Sequence, residues 1–278
     1  MVRIDAHVHL FSPEIAARRS EIAAADPAFA EMYANPAAKM ADLPELLAAL
    51  DAAGIDRAVV AGFAFARHCD IEAQNEYLLA LPAQSPGRIA ALATINPGLP
   101  GWEQTARTAI DAGASGFGEL RPAAQAWEPL GPAARSFCGL AQDAGLVLLW
   151  HVSEPLGHRY PGKAGGISPV DLCHVAEAFP RLRMVAAHQG GGLSFFLQMP
   201  EVRSILANIW FDTAASPLLY DEQSVWRLVA LAGDGRVLFA SDYPLLSPRR
   251  QLEQHLAHLP GDAAEAVCGG NAATLFFG

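Results

Sequence analysis

Short apolar runs alternate with longer segments of helical periodicity along most of the chain. The apolar runs have the length of strands, and most are apolar throughout, as expected for strands that are covered on both sides. The predicted strands are Arg3–Ala6, Arg57–Gly62, Ile89–Ile95, Gly116–Leu120, Leu146–His151, Arg183–His188, Ile209–Asp212 and Arg236–Ala240. The predicted helices are Leu43–Ala53, Ile71–Leu81, Trp102–Ala112, Pro132–Ala144, Pro169–Phe179, Leu193–Leu206, Glu222–Leu231 and Pro248–Leu259.

This alternation predicts parallel strands joined by right-handed helical crossovers. An open doubly wound sheet would produce a similar pattern. Eight strand–helix units in a chain of 278 residues favour closure into one (β/α)8 TIM barrel, which typically needs about 250 residues. We therefore expect residues 1–278 to form a single domain. The segment at about 11–42 is longer than an ordinary connection and is interpreted as a helical insertion, either a lid or a plain structural extension.

Composition and charge restrict the environment and the partners. The net charge is −10, and no run of Lys and Arg interleaved with aromatic residues is present, which argues against nucleic-acid binding and favours a small-molecule substrate. No apolar run approaches the ~18 to 20 residues of a membrane span, and the N-terminus lacks a secretory pattern. The widely spaced cysteines indicate reduced thiols: Cys69, Cys138, Cys173 and Cys268. We expect a cytoplasmic protein, with a homodimer left open.

The first predicted strand ends in the motif Asp5-Ala6-His7-Val8-His9. Side chains at positions i and i+2 of a strand point to the same side, so His7 and His9 can bind one ion together. Neutral imidazole is the commonest protein ligand for zinc and related ions. Taken alone, the pair is more typical of two incidental strand histidines than of a metal site.

Four further polar residues strengthen the metal hypothesis. Glu119, His151, His188 and Asp242 each lie at or just beyond the C-terminal end of another apolar run. Active sites of (β/α)8 barrels are built at that end, where side chains from different strands converge. Unrelated core histidines would not all lie at the same ends. The sequence therefore predicts a divalent metal site.

With these motifs the sequence resembles the amidohydrolase superfamily, specifically its amidohydrolase-related (amidohydrolase 2) group. The resemblance extends from Ile4–His9 to the closing segment Gly270–Phe276, and includes Phe239-Ala240-Ser241-Asp242-Tyr243-Pro244 after the last strand. It implies a (β/α)8 barrel in which His7, His9, His151 and Asp242 match metal-ligand positions. His188 then matches a histidine that binds a second metal or contacts the substrate.

Glu119 departs from the usual pattern of that group. A glutamate at the end of the fourth strand resembles the bridging carboxylate of TatD-like and phosphotriesterase-like relatives, which spans two ions about 3.5 to 4 Å apart. The alternative is an acid that orients a histidine ligand. The sequence is compatible with a site for one metal ion or for two. Zinc is the expected metal, and such a site would also accept manganese or iron.

The predicted chemistry is hydrolysis of an amide, lactone or ester bond by a metal-activated water. Asp242 is the expected proton shuttle, and the metal or His188 would polarise the substrate carbonyl. Arg121 and Arg159 are candidates to bind a substrate carboxylate, although solvated surface charge is an equally good interpretation of both.

Three other functions compete with hydrolysis. The first is a metal-dependent, non-oxidative decarboxylase of the aminocarboxymuconate-semialdehyde decarboxylase type, which would use much the same ligands. The second is a TatD-like nuclease, which the negative charge disfavours. The third is a non-catalytic metal-binding protein, although a structural site normally gathers four protein ligands in one place.

Overall fold

The computed structural model describes all 278 residues and contains one eight-stranded parallel sheet in which the strands follow in chain order. Each strand pairs in parallel with the next one, as strand–helix–strand units require. The strands are β1 (Ile4–His9), β2 (Arg57–Ala61), β3 (Ile89–Ala93), β4 (Gly116–Leu120), β5 (Val147–Trp150), β6 (Arg183–Ala186), β7 (Ile209–Asp212) and β8 (Val237–Leu238).

The segment that follows β8 meets β1 through three backbone hydrogen bonds rather than a regular ladder, and one of them is donated by the Asp242 amide to the His7 carbonyl at 3.0 Å. The Ala6 amide donates to the Phe239 carbonyl at 2.9 Å, and the His9 amide donates to the Tyr243 carbonyl at 2.6 Å. These contacts bring the two edges of the sheet together, so the strands form a nearly closed barrel. The predicted (β/α)8 TIM barrel is therefore confirmed.

Helices connect the strands and cover the outside of the barrel. They are α1 (Pro13–Ala17), α2 (Arg19–Ala25), α3 (Pro27–Tyr33), α4 (Leu43–Ala53), α5 (His68–Gln84), α6 (Trp102–Asp111), α7 (Pro132–Asp143), α8 (Pro169–Ala178), α9 (Pro200–Ile205), α10 (Ser216–Leu219), α11 (Ser224–Ala232), α12 (Pro248–His258), α13 (Gly261–Glu265) and α14 (Asn271–Phe276). Helix α4 shows why such segments are helical: Asp42 and Glu45 form a capping box, and Gly54 ends the helix with φ of 65°. No helix has the length and apolar character needed to cross a bilayer.

The barrel interior is filled by small and aliphatic side chains. Its cluster includes Ile4 and Ala6 from β1, and α14 contributes Ala272 and Leu275 to the same cluster. A register shift in β1 between Asp5 and Val8 changes which side chains face inward. Val8 consequently packs with the larger hydrophobic cluster, which includes helix residues such as Leu46 and Leu50, and not with Ile4 and Ala6. Beyond that irregularity His7 and His9 share the inner side.

Two predicted elements differ from the structure. The helix predicted at Leu193–Leu206 is wrong as one unit. The chain first turns through Gln189–Gly192 with positive φ values, a short 3-10 segment then ends at Gln198, and α9 starts separately at Pro200. Proline cannot donate the amide hydrogen bond that a continuous helix would need at that point. The strand predicted at Arg236–Ala240 is reduced to Val237–Leu238, since the chain turns after Leu238 to present the residues around Asp242.

Candidate metal centre

The structure brings all six predicted ligands together at the C-terminal end of the barrel. His7 and His9 lie on β1 and Glu119 lies on β4, whereas the other three follow their strands directly or within a few residues. The side chains form two groups of three, and within each group the ligand atoms lie within 4.8 Å of one another. The groups are His7, His9 and Asp242, and Glu119, His151 and His188.

In the first group the two histidines of the HxH motif approach closely. The Nε2 atoms of His7 and His9 are 3.0 Å apart, and Oδ1 of Asp242 is 3.5 Å from Nε2 of His9. Ligand atoms held about 2.0 to 2.1 Å from a common ion lie about 2.8 to 3.4 Å apart, from adjacent octahedral to tetrahedral positions. The spacing of this group therefore fits a shared cation.

Glu119 lies between the two groups. Its Oε1 is 2.9 Å from Nδ1 of His151 and 3.3 Å from Nε2 of His188. Its Oε2 is 3.6 Å from Nε2 of His9 and 3.9 Å from Nε2 of His7. One carboxylate thus presents an oxygen to each group, which is the placement that a bridging ligand needs.

The tautomers of His7 and His188 are set by neighbours that can only accept. Nδ1 of His7 lies 2.9 Å from Oδ2 of Asp212, and Nδ1 of His188 lies 3.1 Å from the Ala214 carbonyl. In the neutral ring each Nδ1 therefore carries the proton, which leaves the Nε2 lone pair directed at the cluster. Hydrogen bonds of this kind orient histidine ligands in metal sites.

The backbone at two of the six positions has an unusual conformation. His188 has φ of 56° and Asp242 has φ of 61°, a region that residues other than glycine seldom adopt. Hydrogen bonds hold both: the His188 amide donates to Oδ1 of Asp212 at 2.9 Å, and the Asp242 amide donates to the His7 carbonyl at 3.0 Å. Backbone strain of this kind is typical of functional sites.

The buried carboxylates in and beside the cluster favour the binding of positive charge. Burial by itself lowers the pKa of His188, but Glu119, Asp242 and Asp212 outweigh it and raise that pKa to about 10. Burial also lowers the pKa of His7, yet Asp212 and Glu119 raise it to about 9. Burial raises the pKa of Glu119, but His151 and His7 hold it well below its ordinary value.

A divalent cation satisfies this demand as well as bound protons do. Nδ1 of His151 lies 2.9 Å from Oε1 of Glu119 and 3.1 Å from Nε2 of His188, so three potential ligand atoms of the second group converge on one point. The donor set of four imidazoles and two carboxylates suits zinc, manganese or iron. The residues present therefore fit a divalent metal.

A comparison with protein-family models agrees with this geometry. The amidohydrolase family model matches residues 4–278. The chain belongs to the amidohydrolase family. This confirms the resemblance found in the sequence, and it covers every residue of the cluster. A comparison with curated proteins finds no match.

Solved structures of similar fold are distant in sequence. The 5-carboxyvanillate decarboxylase of Sphingomonas paucimobilis is 17% identical, with 99% of each chain covered and a TM-score of 0.78. The 2,6-dihydroxybenzoate decarboxylase of Rhizobium is 17% identical, covering 100% of this chain and 99% of that one, with a TM-score of 0.72. The 5-carboxyvanillate decarboxylase of Novosphingobium aromaticivorans, complexed with manganese and 4-hydroxy-3-methoxy-5-nitrobenzoic acid, is 16% identical, covering 99% and 96%, with a TM-score of 0.78. At this level of identity the likeness establishes the amidohydrolase barrel fold.

A cavity of about 450 Å³ opens onto the second group and Asp242. Its remaining walls are mainly apolar or come from the loop after β5, and the exposed Leu218 and Leu245 lie at its outer side. The residues of these walls are Met32, His158, Tyr160, Pro161, Gly162, Ala215, Leu218, Leu219 and Leu245. Neither lysine nor arginine lines this cavity.

The two predicted substrate-binding arginines lie elsewhere. Arg121 is buried and donates to the carbonyls of Gly162 and Ala164 at 3.0 and 2.6 Å, so it holds the loop after β5 in place. Arg159 is exposed on that loop and does not line the cavity. The structure thus brings neither guanidinium to the cavity wall, and substrate binding by these two residues stays a prediction.

Sequence reasoning missed two features of the centre. Asp212 contacts both His7 and the His188 amide, and it ends the seventh apolar run, so the rule that selected the other residues could have found it. The second feature is a carboxylate shared by two phenols: Tyr220 donates to Glu154 at 2.6 Å and Tyr160 donates to it at 2.8 Å. No local sequence pattern links these three residues, because Tyr220 directly follows α10 and lies 66 positions after Glu154 in the chain.

Proposed function

We propose that the protein is a metal-dependent, non-oxidative decarboxylase that removes CO2 from a small aromatic carboxylic acid. The observation that carries this proposal is the two-sided cavity, which has carboxylate and imidazole ligands at its buried end and apolar side chains around the remainder. Its volume of about 450 Å³ lies within the range of about 300 to 1,000 Å³ that is usual for small-molecule sites. An aromatic ring suits such walls, and its carboxylate suits the ligand cluster.

The comparisons favour this alternative over the hydrolysis expected from the sequence. Several structures of similar fold are decarboxylases of hydroxylated aromatic acids, among them 5-carboxyvanillate and 2,6-dihydroxybenzoate decarboxylases. Their substrates supply the class to test first, namely benzoates that carry hydroxyl groups. Manganese accompanies two of these relatives, so manganese joins zinc as a candidate ion.

A divalent cation held by the six side chains would supply positive charge for the oxygens of the substrate. Asp242 lines the cavity beside the cluster and is the proposed proton donor. Asp242 takes up a proton from solvent and passes it to the ring carbon that bears the carboxylate. The bond between that carbon and the carboxyl carbon then breaks, the electron pair of that bond restores the aromatic ring, and the carboxyl group leaves as CO2. Apolar walls such as Met32 and the buried Ala215 would displace water from the bound ring, which favours loss of a charged carboxylate as neutral CO2.

The decisive experiment follows CO2 release from hydroxybenzoates by metal-loaded protein in D2O. We expect CO2 together with one deuterium on the ring carbon that lost the carboxylate. Asp242→Asn should lower turnover by about 10²- to 10⁴-fold, the usual contribution of a positioned proton donor. Asp111→Asn, an exposed acid on α6, is the matched control. Metal content is measured in each variant, because an Asp242→Asn protein with full metal and parental turnover would exclude Asp242 as the donor.

Hydrolysis remains the second candidate because of Glu119. Glu119 presents one oxygen toward each histidine group, so it would help to hold two ions, and such a pair would supply an activated water for hydrolysis. Lactones and N-acyl amino acids tested beside the benzoates distinguish the two functions. Hydrolytic turnover without CO2 from any aromatic acid would replace the decarboxylase proposal by hydrolysis.

A further inference from the structure

The segment between β1 and α4 reaches across the barrel to the metal-ligand cluster. Its residues Met32, Tyr33 and Lys39 line a second cavity of about 110 Å³ together with His9 and Asp242. This small cavity shares wall residues with the 450 Å³ cavity, since Met32, Asp242 and Leu245 belong to both. A substrate bound at the cluster can therefore extend a substituent into the smaller space.

We propose that Tyr33 and Lys39 form a subsite for a second anionic oxygen group of the substrate, with a carboxylate as the type case. The proposal rests on the proposed function, in which a first carboxylate lies at the metal cluster. It narrows the substrate class to aromatic acids that carry two acidic groups. It also assigns a role in specificity to the segment that precedes α4.

Tyr33 is placed and protonated as a donor for such a group. Its side chain is buried against Phe11, Phe29 and Phe63, and its ring is held at centroid distances of 4.9 to 5.8 Å. Burial, Asp242 and Glu119 all raise its pKa, so the phenol stays protonated. Tyr33 lines the cavity and is 9% exposed, and its hydroxyl has no hydrogen-bond partner within the protein, so it can donate to a ligand or to water there.

Lys39 supplies the charge. Its Nζ lies 3.1 Å from the Tyr243 hydroxyl and 3.2 Å from Oε1 of Glu45, which leaves one of its three ammonium protons free. The hydrogen bond to Tyr243 raises the pKa of Lys39, so the amine stays charged.

Lys39 is also the only lysine or arginine that lines either cavity. Lys163 donates to the carbonyls of Leu156 and His158, and Arg121 donates to backbone carbonyls of the same loop. In a protein of net charge −10, a second anionic group of the substrate has one cation beside the cluster to bind. The subsite therefore depends on Lys39 for its charge.

The dimensions limit what the subsite accepts. A volume of about 110 Å³ equals the share of liquid volume of about three or four water molecules. That space holds a carboxylate, a sulfonate or a phenolic oxygen. We therefore expect discrimination by charge at one position of a single ring.

The test measures binding by calorimetry, with benzoate, isophthalate and terephthalate as probes of the metal-loaded protein. In the parent we expect at least one dicarboxylate to bind about 10-fold tighter than benzoate, the order expected for a hydrogen bond to a charged group. Lys39→Met should abolish that preference and Tyr33→Phe should reduce it, whereas Lys39→Arg should retain part of it. Benzoate should bind equally to all four proteins, which also shows that each variant is folded.

Arg181→Met controls for net charge, because this 79% exposed arginine lies outside both cavities and should leave the preference intact. Benzoate binding without a dicarboxylate preference, or a preference that survives in Lys39→Met, would overturn the subsite and leave the proposed function standing. If neither benzoate nor a dicarboxylate binds to the metal-loaded protein, the carboxylate site at the metal centre is wrong and the subsite proposal is overturned with it.

Discussion

Replacing Asp212 by Asn should weaken metal binding without removing any of the six candidate ligands. Oδ1 of Asp212 accepts from the amides of His188 and Ala214 at 2.9 and 3.0 Å, and Oδ2 faces Nδ1 of His7 at 2.9 Å. The amide oxygen of Asn can keep the first two hydrogen bonds. Its NH2 group must then occupy the Oδ2 position and donate toward His7.

That exchange forces His7 to change tautomer. Nδ1 becomes an acceptor, the proton moves to Nε2, and the lone pair that faces His9 is lost. Changes of this kind, in groups that orient a ligand, typically lower metal affinity by about 10- to 100-fold. The corresponding loss of binding free energy is about 1.4 to 2.7 kcal/mol. We expect the Asp212→Asn protein to lie within that range.

Competition with a chelator of known affinity measures the effect, with zinc and manganese tested separately. Asp5→Asn is the matched control, because Asp5 is also fully buried at this end of the barrel but contacts Ser241 and the His7 amide rather than an imidazole nitrogen. It should retain parental affinity. Unchanged metal affinity in Asp212→Asn would refute the tautomer argument, even if the variant were less stable.

Three other predictions test the site and the packing beneath it. The double variant His7→Ala, His9→Ala should lose most of its bound metal, measured by mass spectrometry, because it removes both imidazoles of the first group. Gly118→Ala should lower the free energy of unfolding by about 1 to 3 kcal/mol in urea titrations, since the new Cβ would lie 2.6 Å from Cβ of Leu149. Burial lowers the pKa of His255 to about 4, whereas the histidine of the unfolded chain titrates near 6.5. The free energy of unfolding should therefore be constant above about pH 6.5 and fall by about 3 kcal/mol as the pH drops toward 4. His255→Gln should lack this loss.

Each of these changes has a control of the same chemical type. His68 and His174 lie on helices away from the cluster, so replacing both by alanine should leave the metal content unchanged. Gly139 lies inside α7 with open space around it, and Gly139→Ala should stabilise the helix by about 0.5 to 1 kcal/mol. His258→Gln, on the exposed side of α12, should preserve the acid-induced loss of stability. If a control variant showed the same effect as its test variant, the effect would follow from the residue type and not from the position in the fold.

The barrel could be predicted from the sequence because its signal is local and repeated. Each strand is a short apolar run, each helix has its own period, and parallel order follows from their alternation. The six candidate ligands could be selected for the same reason, since each lies at the end of such a run. Asp212 satisfies the same rule, and applying it to the seventh run would have added the carboxylate that orients His7.

What could not be predicted depends on contacts between distant parts of the chain. The register shifts in β1 and β4 place His9 and Glu119 on the inner side, and strict two-residue periodicity from Ala6 or Gly118 would place them elsewhere. Lys39 meets Tyr243 across 204 positions of sequence, and no pattern around either residue indicates that contact. The strand-end rule therefore identifies groups that can bind a metal. The residues that select a substrate come from connecting segments, whose positions depend on how those segments pack across the mouth of the barrel.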